Sequence, residues 1–265
     1  MTETTDTNNY LLSVENIDTY IGQFHILEGV SVNVAKGSIT VLLGRNGAGK
    51  TTTLKTIMGL TPPRNGKVIF DDQEIQGKRA FNIANLGIGY VPENRAIFRA
   101  LTVMENLKLA ERKKGDLDRH ADFIFELFPD LSRLSKLKGN QLSGGQQQML
   151  AVARALVPDN KLLLIDEPSE GLAPILIQQM MEAIRKLKET TTILLVEQNF
   201  IMASQLAERY VIIDDGKSVH RGLMSDLVLN QDLIHQYLGA SIQAPTSKSE
   251  DRKSTRLNSS HGKLS

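Results

Sequence analysis

Gly44-Arg45-Asn46-Gly47-Ala48-Gly49-Lys50-Thr51, GRNGAGKT, fits the pattern G-x-x-x-x-G-K-[ST], and what flanks it decides the fold. Before it, Ser38 to Leu43 is a continuous apolar run, suited to a strand covered on both faces. After it, Lys50 to Met58 reads as a helix, ended by Gly59 and the pair Pro62-Pro63. Strand, glycine-rich loop and helix in that order let several backbone N–H groups wrap a phosphate chain at the positive end of the helix. Lys50 is placed to reach β- and γ-phosphates, Thr51 to offer its hydroxyl to Mg²⁺, and Thr52 to meet a phosphate oxygen.

Outward from this loop, apolar runs at Leu162 to Ile165, Thr192 to Val196 and Tyr210 to Ile213 read as further buried strands. Between the first two, Ile177, Met180, Met181, Ile184 and Leu187 recur at helical spacing, as on a helix packed against a sheet. Alternation of strand and helix predicts a parallel sheet. Val30, Val32 and Val34, separated by Ser31 and Asn33, predict instead a half-buried antiparallel strand near an edge. From Glu93 to Leu156 the pattern is helical, near Thr102 to Arg112, Arg119 to Phe128 and Ser143 to Leu156. The expected fold is α/β: a P-loop core sheet with helices on both faces, an N-terminal antiparallel β portion and an inserted helical lobe. One domain would span residues 10–240, with 10–92 and 157–240 as nucleotide-binding core and 93–156 as the lobe.

Composition narrows the function classes. The chain of 265 residues is 41% hydrophobic and has no cysteine, which excludes a disulfide scaffold and any thiolate site and fits a reducing compartment. Formal net charge is +1, without the basic footprint of a nucleic-acid binder. No apolar run approaches the roughly 18 to 20 residues needed to cross a bilayer, so the chain is expected neither to enter nor to span the membrane. The five histidines lack metal-ligand spacing, and no structural metal is expected.

Two more segments carry chemistry. Leu162-Leu163-Leu164-Ile165-Asp166-Glu167 delivers two carboxylates to the end of a buried strand, where ligands of such sheets bind. Asp166 is the expected Mg²⁺ holder and Glu167 the general base on an attacking water. Leu142-Ser143-Gly144-Gly145-Gln146 stands at the start of a helix. Ser143 and Gln146 have capping-box spacing, which accounts for the serine but not for two glycines taken to be exposed beside it. An anion site made of backbone N–H groups, a hydroxyl and the helix dipole accounts for all four.

GRNGAGKT, LSGGQ and LLLIDE, in that order and spacing, resemble the ABC ATPase family over about Leu11 to Gly239. The resemblance implies ATP and Mg²⁺ as ligands. It also implies a head-to-tail pair of subunits, each ATP held between Gly44 to Thr51 of one and Leu142 to Gln146 of the other. Tyr20, 24 residues before Gly44, matches the aromatic that stacks on adenine. Glu93, in Tyr90-Val91-Pro92-Glu93, stands where most members have a glutamine touching Mg²⁺ or the attacking water. Ala173 replaces the usual aspartate that crosses the dimer interface. Gln198, in Val196-Glu197-Gln198-Asn199, replaces the usual histidine near the γ-phosphate and is assigned a catalytic contact with it; its amide can donate there but has no pKa near 6.5. Phe98, Leu101 and Val103 follow Glu93 in the region that, by resemblance, meets membrane subunits, and are read either as an exposed docking groove or as core.

VPE, EPSxGLAP and VEQN together look like the shorter, LivF-type ATPase of branched-chain amino acid importers, or the related urea and amide importer ATPases. This implies a second ATPase subunit, either the longer type or a second copy of this chain, two membrane permease subunits, and a periplasmic solute-binding protein acting indirectly. The location implied is cytoplasmic, peripheral on the inner face of the membrane. A soluble, non-transport ABC ATPase is the alternative. Ser143 follows Thr51 by only 92 residues, too few for the long coiled coil of a chromosome-structure ATPase. Residues 241–265 lack periodic apolar positions and are expected to be a disordered tail. Within it, Asp251 to His261, DRKSTRLNSSH, resembles one reading frame of a sequencing-library adapter; the competing reading is a natural basic tail that touches anionic lipid. Without residues 248–265 the formal charge falls from +1 to −2.

Overall fold

Strands that are apolar throughout and strands that alternate end in different sheets. The computed structural model describes residues 10–239, so the expected tail at 241–265, with its adapter-like stretch at 251–261, lies outside the described residues. The chain begins with β1 (Tyr10–Ile21), β2 (Phe24–Ala35), β3 (Ile39–Leu43), α1 (Lys50–Ile57), β4 (Asn65–Phe70), β5 (Gln73–Glu74), α2 (Ala80–Asn85) and β6 (Ile88–Val91). A helical stretch follows, with α3 (Val103–Lys108), α4 (Asp116–Leu127), α5 (Pro129–Arg133) and α6 (Gly144–Ala155). Then come β7 (Leu162–Asp166), α7 (Pro174–Lys188), β8 (Thr192–Val196), α8 (Phe200–Leu206), β9 (Arg209–Asp214), β10 (Lys217–Leu223), α9 (Met224–Leu229) and α10 (Gln231–Leu238).

The larger sheet has the order β10-β9-β3-β8-β7-β6 and is parallel except for β10, which pairs antiparallel with β9. Every residue of β3, β7 and β8 is buried, as two covered faces require. Successive side chains serve opposite faces. Ile39, Val41 and Leu43 join Leu163, Ile165, Ile193 and Leu195 in one apolar cluster, whereas Leu42, Leu162, Leu164, Leu194 and Val196 join the other. The first face is covered by α6, α7 and α8, and Leu117 and Ile124 of α4, Leu131 of α5 and Phe128 between them pack into the same cluster. The second is covered by α1, α2 and the antiparallel sheet, whose order is β2-β1-β4-β5. Helices therefore lie on both faces, as expected of a P-loop α/β fold.

In β2, Val30, Val32 and Val34 are buried while Ser31 and Asn33 stay partly exposed, and β2 is an edge strand antiparallel to β1. Each fully buried valine or leucine of these faces contributes about 1.5–3 kcal/mol. Topology puts the ends of β3, β6, β7 and β8 side by side, and the loops leaving those ends form the site.

Candidate functional site

The loop after β3 owes its path to glycine. Gly44, Gly47 and Gly49 have φ of 147°, 80° and 109°, a region costly for residues with a Cβ. A Cβ at Gly44 would lie 2.1 Å from the carbonyl oxygen of Ile213, and one at Gly49 would lie 2.7 Å from Leu27 Cδ2. Ala48 is buried, and its N–H donates to the Arg45 carbonyl at 3.2 Å. Arg45 and Asn46 are exposed; the Arg45 guanidinium donates to the Gln236 carbonyl at 3.1 Å. Lys50, 4% exposed, donates to the carbonyls of Gly44 at 3.0 Å and Arg45 at 3.1 Å, and its Nζ lies 3.5 Å from Glu167 Oε1.

Opposite the loop, the end of β7 presents the two carboxylates. Asp166 is fully buried and accepts from Thr51 Oγ1 at 3.1 Å, with the Tyr90 hydroxyl 3.5 Å from its other oxygen. Burial, reinforced by the like charges of Glu167 and Glu93, raises its pKa to about 6 against the lowering effect of the Thr51 hydrogen bond. Burial, with Asp166 beside it, also pushes the Tyr90 phenol upward. Glu167 adopts φ 47°, a strained backbone costing roughly 1–3 kcal/mol and found mostly at functional sites. Its N–H donates to the Val196 carbonyl at 3.0 Å, and both its carboxylate oxygens accept from Gln198 Nε2, at 3.0 and 2.9 Å.

Ile26, Asn46, Gly47, Gly49, Lys50, Thr51, Thr52, Glu93, Glu167, Glu170 and Gln198 line one cleft. Carboxylate oxygens of Glu93, Glu167 and Glu170 lie within 4.8 Å of one another there. These are hard oxygen donors beside the Thr51 hydroxyl and Asp166, a set that fits Mg²⁺. Burial is the main cause of the upward shift of Asp166, and the negative charges of Glu167 and Glu93 add to it.

Tyr20 does not line that cleft. Its ring stacks on His25, with centroids 4.2 Å apart and planes 5° from parallel, and the Arg64 guanidinium carbon lies 3.9 Å from its centroid. Two planar groups that close to the ring centre cannot share one face, so both faces of Tyr20 are covered. The sequence offered no sign of Arg64, 44 positions away.

At the start of α6, Ser143 Oγ accepts from Gln146 N–H at 3.3 Å and Gln146 Oε1 accepts from Ser143 N–H at 2.9 Å, a complete capping box. Leu142 is buried. The two glycines differ from expectation: Gly144 is exposed, but Gly145 is buried, and a Cβ there would meet Leu176 Cδ1 at 2.2 Å. Packing against the first turn of α7 thus accounts for Gly145. Beside Gly144 lies the Arg95 guanidinium, which donates from Nε to Gln148 Oε1 at 3.1 Å. Of Phe98, Leu101 and Val103, Val103 is fully buried, Leu101 partly so and Phe98 46% exposed. Val103, the first residue of α3, packs into the core cluster.

The chain and its fold have counterparts among known proteins. The family model described as ABC transporter matches residues 27–170. The high-affinity branched-chain amino acid transport ATP-binding protein BraG of Pseudomonas aeruginosa is 41% identical over 232 residues, covering 86% of this chain and 100% of BraG. The probable branched-chain amino acid transport ATP-binding protein LivF of Archaeoglobus fulgidus is 37% identical over 210 residues, 78% of this chain and 89% of that protein. Among solved structures, a dimeric ATP-binding cassette in a post-hydrolysis state with ADP and Pi superimposes with a TM-score of 0.72 at 27% identity, covering 80% of this chain and 98% of that one. The chain therefore belongs to the ABC transporter family, as one of its ATP-hydrolysing cassettes.

Proposed function

We propose that this cassette powers an importer of branched-chain or other hydrophobic amino acids, working as one of two ATPase subunits beneath two permeases fed by a solute-binding protein. The observation that carries this reading is the full-length match to BraG at 41% identity. No helix among the described residues is long and apolar enough to cross a membrane, so contact with the bilayer would run through the permeases, from the cytoplasmic side.

Lys50 now spends its donors on the Gly44 and Arg45 carbonyls and on Glu167. The β- and γ-phosphates of ATP, richer in charge than a carbonyl, take those donors over. Loop N–H groups and Thr52 hold the remaining phosphate oxygens. Thr51 and Asp166 would hold Mg²⁺, with Glu93 accepting from its water shell; when bound, the ion supplies neutralisation of phosphate charge. Glu167, released from Lys50 but still gripped by Gln198, takes a proton from water as the water oxygen bonds to the γ-phosphorus and the bond to ADP breaks. Gly144, Ser143 and their helix end would face the ATP of the neighbouring subunit, as the head-to-tail pairing implies.

Uptake measures the transport reading directly. In cells lacking the gene, restoring it should restore uptake of labelled leucine, and Lys50→Ala should not. Restored uptake of labelled urea with none of leucine would overturn the amino-acid assignment while leaving the ATPase intact.

A further inference from the structure

Glu197 is the most enclosed carboxylate among the described residues outside Asp166, at 1% exposure. It has no cation within salt-bridge distance among those residues. Instead it accepts four hydrogen bonds from two different loops. One oxygen takes the Ser169 N–H at 3.1 Å; the other takes the Ser169 hydroxyl at 3.0 Å and the N–H groups of Gln198 and Asn199, both at 3.1 Å. Ser169 sits two residues past Glu167 on the loop leaving β7, while Gln198 and Asn199 lie on the loop leaving β8.

We propose that Glu197 is a positioning residue that ties these two loops together and thereby sets where Gln198 grips Glu167. The circuit is closed: Glu197 fixes the Gln198 backbone, the Gln198 amide holds both Glu167 oxygens at 2.9 and 3.0 Å, and Glu167 leads back through Pro168 to Ser169 and Glu197. A carboxylate suits the position because four donors converge on it and it carries only acceptors. Glutamine there would turn an NH₂ group toward other N–H groups, leaving buried donors unpaired. Asn199, whose N–H is the fourth donor, also caps α8 by accepting from Met202 N–H at 3.1 Å, so the knot extends into the helix that follows. The cost of enclosing the charge, seen in the upward push of burial on Glu197, is offset by those four bonds.

This inference rests on the roles proposed for Glu167 and Gln198, and a double-mutant cycle separates the two. ATP turnover and ATP affinity would be measured on the purified chain for wild type, Glu197→Gln, Gln198→Ala, the double variant and Glu167→Gln, with thermal melting as a check on folding. Glu197→Gln should lower kcat by about tenfold with KM within about twofold, and should lower it little further in the Gln198→Ala background. Losses that simply multiply, or an unchanged kcat, would overturn the positioning role. If Glu167→Gln turned over normally, the general-base reading would fail while the cycle still reported the coupling of Glu197 to Gln198. Should Glu197→Gln not fold, Ser169→Ala removes one of the four donors alone. It should lower kcat by about threefold, again only where Gln198 is present, and the same loss without Gln198 would overturn the proposal.

Discussion

Gly44 and Gly145 both stand where an added methyl would meet a neighbour at close to 2 Å, but the neighbours differ in kind. At Gly44 it is the backbone carbonyl of Ile213 in β9, 2.1 Å away, and the glycine's φ is 147°. At Gly145 it is the end of the Leu176 side chain, 2.2 Å away, on an ordinary helical backbone. The phosphate loop is thus fitted against the main chain of the parallel sheet, which cannot yield. The LSGGQ segment is fitted against a side chain that can change rotamer. A half-site that must grip phosphate by backbone N–H groups needs the first kind of support. One that must meet another subunit can tolerate the second.

The largest effect expected from this contrast is at Gly44. Gly44→Ala should cost at least about 3 kcal/mol in stability and remove ATP binding, both read from thermal melts with and without nucleotide. A mild Gly44→Ala would dissolve the contrast.

A buried carboxylate sets the phosphate side apart in a second way, because Asp166, its pKa raised to about 6 chiefly by burial, has no counterpart at the LSGGQ end. The folded state holds the Asp166 proton more tightly than the unfolded chain, so this group's penalty grows as pH rises from about 4 to about 6 and is complete above that. Without metal or nucleotide, Asp166→Asn should be more stable than wild type at pH 7, by on the order of 2 kcal/mol, and the difference should close by pH 4. Denaturant titrations at the two pH values measure it, and a variant less stable than wild type at pH 7 would contradict a penalty for burying the Asp166 charge.

Gly145→Ala comes next, at about 1 kcal/mol, with ATP binding by the isolated chain unchanged. If its cost matched that of Gly44→Ala, Leu176 would have proved as unyielding as a backbone. The smallest effect is at Tyr20. With both its faces covered, adenine can stack there only by replacing Arg64 or His25, so Arg64→Ala should tighten ATP binding by a few-fold, the cation–π contact being worth about 0.5–1 kcal/mol at an exposed site. GTP affinity, measured alongside, should follow if stacking alone is at work. Weaker ATP binding would show that Arg64 supports the nucleotide.

What the sequence made legible follows the same divide. The strands of the parallel sheet stand out because burial on both faces leaves β3, β7 and β8 apolar throughout, and the loop glycines stand out because no other residue fits their backbone. The partners of β2 do not stand out. β1 mixes exposed Glu15 and Asn16 with buried residues, and its pairing with β2 is interrupted by register shifts. Five-residue α5 is too short to show a period. At the site, Lys50, Thr51, Asp166 and Glu167 announce themselves by local pattern. The exposure of Gly145 was misjudged because its neighbour, Leu176, comes from another helix 31 positions on. Glu197 gives a local hint, an acid placed directly after an apolar strand, yet its meaning lies in Ser169, 28 positions earlier. Contacts between loops carry no period, and the sequence cannot display them.

In the proposed mechanism Glu167, aimed by Gln198, carries out hydrolysis on ATP held by the loop from Gly44 to Thr51. Phosphate release and equilibrium ATP binding, measured on Glu167→Gln beside wild type, test it most directly. ATP binding should stay within a few-fold of wild type while release of phosphate slows by about a hundredfold or more. Phosphate release at the wild-type rate would contradict it.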